Sequence, residues 1–291
     1  MTHRPPLVAG IGEVLWDKFP DGDRLGGAPA NFAFHAAQLG AQARVVSRIG
    51  CDPDGERLGL ELRRRGLSTE YLQTDAAHPT GTVLVQVEAG QPTYTITPSV
   101  AWDFLEPTAA LQNLAPQLDA ICFGTLAQRN SVSRDTIRQV IAACRADALR
   151  LFDINLRQTF YTRDDIEFGL SHATVLKLNA EELAVMGRMY GCQTDVTDRL
   201  FERFPLDLIA VTRGAQGCEL HTRRETVNSA GLPVQCVDAV GAGDAFSAML
   251  ALGLLKKLSL QEIADRCNRI GAHVASQPGA MPQLPADVRL F

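Results

Sequence analysis

The chain of 291 residues contains no G-x-x-x-x-G-K-[ST] segment, which excludes a P-loop nucleotide-binding site. Its seven cysteines (Cys51, Cys122, Cys144, Cys192, Cys218, Cys236 and Cys267) include no C-x-x-C pair, and the odd count argues against a disulfide framework. Several of them sit in apolar runs such as AICFG, the usage expected of reduced core residues in a cytosolic protein. Six histidines are scattered without an H-x-x-x-H, so a structural zinc site is not indicated. Basic runs are scarce. Arg63-Arg64-Arg65 is the longest, and with a formal charge of -5 it gives no footing for nucleic acid. The longest helical apolar stretch, Ala245 to Leu255, is too short to cross a bilayer, and the opening MTHRPPLVAGIG has no apolar signal core. A soluble, cytoplasmic protein is expected. Aromatic residues are only 6% of the chain. There is no repeat, low-complexity tract or linker.

What is present is an ordinary globular composition, 46% hydrophobic and 21% charged, with enough length to bury a large core. Short continuous apolar runs alternate with helical patterns. Candidate strands are 7–11, 43–49, 120–124, 149–154, 174–178 and 208–212; candidate helices are 28–39, 54–65, 133–146, 180–190, 195–204, 243–255 and 260–276. Such alternation predicts a mostly parallel sheet covered by helices on both faces. Two segments depart from it. GTVLVQVEAGQPTYTIT (81–97) alternates as an antiparallel hairpin turning at Ala89-Gly90-Gln91, and 13–28 reads as a second, polar hairpin turning at Asp21 to Asp23. Two such pieces beside a parallel sheet suggest a small β lid.

The stretch VDAVGAGDAF (237–246) sets a Gly241-Ala242-Gly243 turn and Asp244 at the start of a long apolar helix. Glycine allows close backbone approach, and the unpaired N–H groups and dipole of a helix start can cradle phosphate oxygens. Asp244 could take the proton of an attacking hydroxyl, or simply cap the helix. LGGAPANFAFHAAQLG (25–40) offers Gly26-Gly27 and Asn31, suited to a polyol hydroxyl or to close helix–sheet packing. His35 reads as a packed or surface histidine. DINLR (153–157) places an acid, an amide and a guanidinium at alternate positions where a strand ends, for a ligand or for an ion pair. KLNAEE (177–182) reads as a capping box, or as a polar cluster ordering water around Mg²⁺. VTRGAQGC (211–218) is a hairpin turn or a nucleotide-contacting loop.

In order, GEVLWD, GGAPAN, D-x-N-x-R, N-x-x-E, T-x-G-x-x-G and D-x-x-G-A-G-D resemble the ribokinase-like, or PfkB, carbohydrate kinases over essentially the whole chain, with the opening motifs most similar to the fructokinase branch. The resemblance implies a single kinase domain over 1–291. The fold would be a three-layer α/β/α sandwich with a mostly parallel central sheet and a β-sheet lid from about 13–28 and 81–103. It implies transfer of the γ-phosphoryl group of ATP to a sugar hydroxymethyl. Asp244 would be the base, and the amides of Ala242, Gly243 and Asp244, in the turn opened by Gly241, the anion hole. Asp17, Gly27 and Asn31 would hold the sugar, with Trp102-Asp103 following the lid on the substrate side. Arg157 would sit near sugar or phosphates. Thr212, Gly214, Gly217, Asn268 and Gly279, with Asn179, would lie on the nucleotide side, and Glu182 would support Mg²⁺ through water.

Ala239 and Val240 replace the two threonines frequent in the family beside a monovalent-cation site, while Asp238 keeps a K⁺ site open. D-Fructose is the expected acceptor, with 2-keto-3-deoxygluconate, ribose or a nucleoside as alternatives, and a non-catalytic sensor as the reading outside the kinases. A homodimer through the lid is expected because Val83, Val85 and Val87 need cover on one face.

Overall fold

The computed structural model describes residues 4–88 and 91–290. In chain order the elements are β1 (Leu7–Ile11), β2 (Leu15–Phe19), β3 (Gly22–Gly26), α1 (Ala28–Gln38), β4 (Gln42–Gly50), α2 (Pro53–Arg64), β5 (Leu72–Asp75), β6 (Gly81–Glu88) and β7 (Gln91–Ile96). They continue as α3 (Ala109–Leu114), β8 (Ala120–Phe123), α4 (Ser131–Ala143), β9 (Leu149–Asp153), α5 (Arg163–His172), β10 (Val175–Asn179), α6 (Ala180–Tyr190) and α7 (Val196–Arg203). The last part comprises β11 (Leu208–Thr212), β12 (Gly217–His221), β13 (Thr226–Ala230), α8 (Ala242–Leu255) and α9 (Leu260–Ala275).

Nine strands form one sheet in the order β13-β12-β11-β10-β9-β8-β1-β4-β5. From β11 to β5 every pairing is parallel, because the connections between these strands run through helices; β12 and β13 follow by tight turns and pair antiparallel. The alternation of side chains along each strand feeds two separate cores. Ile11, Phe123, Phe152 and Leu176 pack on one face with Ile137 of α4, Ile166 of α5 and Met186 of α6. Val8, Val45, Cys122 and Leu151 pack on the other with Phe32 of α1, Leu62 of α2, Met249 of α8 and Ile270 of α9. The result is the expected three-layer sandwich. α8 is buried on all sides from Ala245 to Gly253, which explains its uniformly apolar sequence.

A second sheet, β3-β2-β6-β7, joins the two expected hairpins through a parallel pairing of β2 with β6. The register sets Asp17 opposite Val83, and Val83 opposite Ile96, on the face turned toward the large sheet. Val83 and Val85 are buried against Leu15, Val100 and Trp102 of their own chain. Val83 and Val85 thus find their cover within their own chain, and the side chain of Val87 lies outside the described residues. Ala89 and Gly90, in the expected turn, lie outside the described residues.

The elements the periodicity did not suggest are short or narrow. α5 buries only Asp165, Ile166, Gly169 and Leu170, and it is started by Thr162, whose side chain and that of Asp165 close a reciprocal cap. β12 and β13 form a half-exposed edge hairpin whose alternation is broken by polar residues. All seven cysteines are free thiols. Among the described residues no helix is long and apolar enough to cross a membrane.

Candidate active site

Gly241 has φ +81°, and a Cβ there would lie 2.5 Å from the carbonyl oxygen of Ala280, so only glycine fits the turn that opens α8. The Ala242 amide bends back to the Ala239 carbonyl at 3.3 Å. The amides of Gly241, Gly243 and Asp244 find no acceptor among the described residues. They are orphan donors at the positive end of a long helix, which is a site built for an anion. Gly27, the residue before α1, is the matching piece opposite. Its φ is +110°, and an added Cβ would lie 2.5 Å from the Glu13 carbonyl oxygen.

The two helix starts meet at one wall of a cleft of about 910 Å³ between the lid and the C-terminal ends of the parallel strands. Asp244 is held there by Asn31, whose Nδ2 donates to its Oδ2 at 2.7 Å. Burial, and then the nearby charge of Asp153, push the Asp244 carboxyl up to about 6, against the pull of Asn31, Lys177 and Arg157. Burial pushes Glu13 up to about 7, with Asp244 adding to the effect, and Asp17 up to about 6, with Asp238 adding to it. Three carboxyls raised around one cleft mark it as a place where protons are handled.

Of the residues expected to bind sugar, Asp17, Gly27 and Asn31 line the cleft. Trp102 and Asp103 do not. They lie in a single 3-10 turn beneath the lid, each 1% exposed, and Asp103 pairs with the Arg129 guanidinium at 2.7 Å while the same guanidinium covers the Trp102 ring. Apolar surroundings and a complete ion pair make them part of the lid's foundation. Arg157 does reach the cleft, and among the described residues the one hydrogen bond of its guanidinium is to the neighbouring Leu156 carbonyl.

On the opposite side Asn179, Glu182, Thr212, Asp238 and Gly279 line the cleft, while Gly214, Gly217 and Asn268 stand away from it. An added Cβ at Gly217 would lie 2.0 Å from the Ser229 carbonyl oxygen, so this glycine serves the β12–β13 crossing. The Asn268 amide is spent on Ser229 and Ala230. Asn179 and Glu182 form the reciprocal cap of α6, and the two Glu182 oxygens accept from the amides of Asn179 at 2.8 Å and Leu156 at 2.9 Å. Among the described residues no cluster of three or more metal-ligating side chains exists. Asn179 and Glu182, at the rim of the cleft, would suit a divalent ion that keeps its phosphate and water ligands. Asp238 accepts from the amides of Val240 and Gly279, and the Arg24 guanidinium lies 3.5 Å away.

Several cleft residues had no assigned role. Glu13 stands in GEVLWD. Asn155 and Gln158 flank Arg157 with φ of 41° and 49°, left-handed values that carry strain in residues other than glycine. Lys177 is buried in β10 and pairs with Asp153 at 3.1 Å. Its signal was available: a lysine inside the apolar run TVLKL is out of place unless it is paired.

The pfkB family carbohydrate kinase model matches residues 22–287. The fructokinase of Klebsiella pneumoniae is 32% identical over 94% of this chain and 95% of that protein. The structure of aminoimidazole riboside kinase from Salmonella enterica, complexed with aminoimidazole riboside and an ATP analog, superposes with a TM-score of 0.82 at 25% identity over 96% of each chain. The Xylella fastidiosa fructokinase structure with bound ATP reaches a TM-score of 0.86 at 21% identity, over 96% of this chain and 95% of that one, and shows the shared fold. A matched family model over nearly the whole chain, the same three-layer fold, and a buried aspartate beside free helix-start amides agree: the chain belongs to the pfkB family of carbohydrate kinases, phosphotransferases that act on an alcohol acceptor.

Proposed function

We propose that the protein transfers the γ-phosphoryl group of ATP to the hydroxymethyl of a free sugar, with D-fructose giving fructose 6-phosphate as the reaction. The observation that carries this reading is the pairing of Asn31 with Asp244 at 2.7 Å, beside amides that have no partner of their own. In this geometry Asp244 takes the proton of the acceptor hydroxyl, and the Gly241, Gly243 and Asp244 amides receive the oxygens of the phosphoryl group in transfer. Asp17, from the lid, and Asn31, from α1, address the other sugar hydroxyls. Asn179 and Glu182 would hold Mg²⁺ through water, and the ion would supply positive charge against the phosphates. The K. pneumoniae fructokinase supports fructose as acceptor, and the ATP analog bound to the S. enterica kinase supports ATP as donor.

A second reading, a sugar acid such as 2-keto-3-deoxygluconate, is favoured by Arg157, whose guanidinium has no carboxylate partner among the described residues. Coupled ADP release with Mg-ATP across fructose, ribose, tagatose, glucose, mannose, 2-keto-3-deoxygluconate, inosine and adenosine separates the readings. Turnover on fructose that is lost in Asp244→Ala supports the first. Preference for the keto-deoxy acid, abolished by Arg157→Ala, would replace it with the second. Absence of turnover on every acceptor, with nucleotide still bound, would favour a sensor.

A further inference from the structure

Lys177 is the only buried lysine or arginine among the described residues, and it sits on a central strand of the large sheet. Burying an ammonium demands compensation. Asp153, on the adjacent strand, supplies it, with both carboxylate oxygens 3.1 Å from Nζ. The Ser247 hydroxyl donates to Asp153 Oδ2 at 2.9 Å, so this acid is tied to α8 one turn beyond its start. A sealed ion pair would end there. Lys177 instead lines the cleft, and its Nζ stands where a side chain at Gly243 would go, 2.9 Å from the position of an added Cβ. Gly243 carries one of the unpartnered amides. An ammonium has three N–H donors, and Asp153 is its sole acceptor among the described residues. A free N–H is thus left beside the anion cradle.

We propose that Lys177 is a further catalytic residue. Its ammonium forms the floor of the phosphoryl site, donating to the group in transfer from beneath Gly243, while Asp153 and Ser247 hold it in place. The inference rests on the phosphoryl-transfer reading above. As the acceptor oxygen bonds to phosphorus and the bond to the bridging oxygen of ADP breaks, the hydroxyl proton passes to Asp244; Lys177 keeps all its protons and supplies only charge and a hydrogen bond. The absence of a side chain at Gly243 is what gives the ammonium access.

The test compares wild type, Lys177→Met and the double variant Asp153→Asn/Lys177→Met, which leaves no unpaired acid in the core should the single variant fold poorly. Turnover is read on whichever sugar the wild type phosphorylates. Binding of ADP alone, and of ADP with aluminium fluoride as a transition-state mimic, is read by calorimetry. The expected result is a fall in kcat of about 10²–10³-fold in both variants with sugar KM nearly unchanged. Affinity for the fluoride complex should drop by a comparable factor while that for ADP alone stays within about threefold. If the double variant folds as the wild type does and retains kcat and fluoride-complex affinity within threefold, Lys177 merely neutralises Asp153 and the proposal fails. If the wild type phosphorylates nothing, the sugar-kinase reading falls. The binding comparison then decides on Lys177: selective loss of the fluoride complex supports the proposal, and its retention overturns it.

Discussion

Asn31 and Asp244 stand 213 positions apart in the chain, and the amide of one donates to the carboxylate of the other at 2.7 Å. The pair joins the first turns of α1 and α8, and in the proposed reaction this sets acceptor and phosphoryl group side by side. Asp244→Asn is expected to lower kcat by about a thousandfold or more while nucleotide still binds, since the carboxyl proton acceptor is lost but the amides remain. Calorimetric titration with a non-hydrolysable nucleotide beside the coupled assay checks both halves.

The same bond carries a pH dependence. With Asp244 at about 6, the rate should fall as pH drops below 6, because only the ionised base accepts a proton. Asn31 favours the ionised form, so Asn31→Val should move the acid limb of the kcat/KM profile upward. A profile with no acid limb between pH 5 and 7 would remove Asp244 from the role of base.

Glu13 is raised from 4.5 to about 7 by burial, so its ionised form is disfavoured in the fold. Its sign is that of a group destabilising at high pH: the unfolded chain ionises it first, and stability returns as pH falls from 7 toward 4.5. Glu13→Gln keeps an oxygen for the Ala28 amide and removes the charge. Thermal unfolding at pH 8 should show the variant more stable, by on the order of 2 kcal/mol, with the gap closing near pH 4.5.

His35 is fully buried in α1, and its Nε2 lies 2.9 Å from the Ala280 carbonyl, the same carbonyl that crowds Gly241. Burial holds this histidine down at about 4. Its contribution is complete above pH 6.5 and is lost as pH falls toward 4. His35→Phe should destabilise the protein by about 1–3 kcal/mol at pH 7.5, with a smaller gap at pH 5, and should raise KM for ATP by loosening the turn that holds Gly241. Melting curves at the two pH values and initial rates test the two effects separately.

Gln158, next to Arg157, donates to the Tyr94 carbonyl of the lid at 2.7 Å. Gln158→Ala should raise sugar KM several-fold and leave kcat nearly intact, because it weakens lid closure without touching the reacting groups. Steady-state kinetics with the preferred sugar checks the split.

How much of this was legible in the chain follows from how each feature is encoded. Gly241 and Gly27 declare themselves because a special backbone conformation admits no other residue, and Val83 and Ile96 because alternation is written directly into a hairpin. The apolar runs of β1, β8 and β10 announced a two-sided sheet. Trp102 and Asp103 were misplaced because proximity to the lid in sequence says nothing about the direction of a single turn; only Arg129, a distant residue, reveals that they face inward. The partners of Asn268, Ser229 and Ala230, are hidden for the same reason, being fixed by the edge hairpin. Lys177 and Glu13 were passed over because their importance lies in burial and neighbouring charge, which are tertiary facts.

The lid sheet has a further consequence. Its two hairpins leave the chain at separate points, one after β1 and one after β5, and are sewn together only by the β2–β6 pairing. Deleting either would leave the survivor with a bare inner edge open to pairing with other chains. The lid is therefore inherited as a couple: a lineage that shortens one hairpin must shorten or re-cover the other in step, and the two segments should change together over evolutionary time despite the distance between them in sequence.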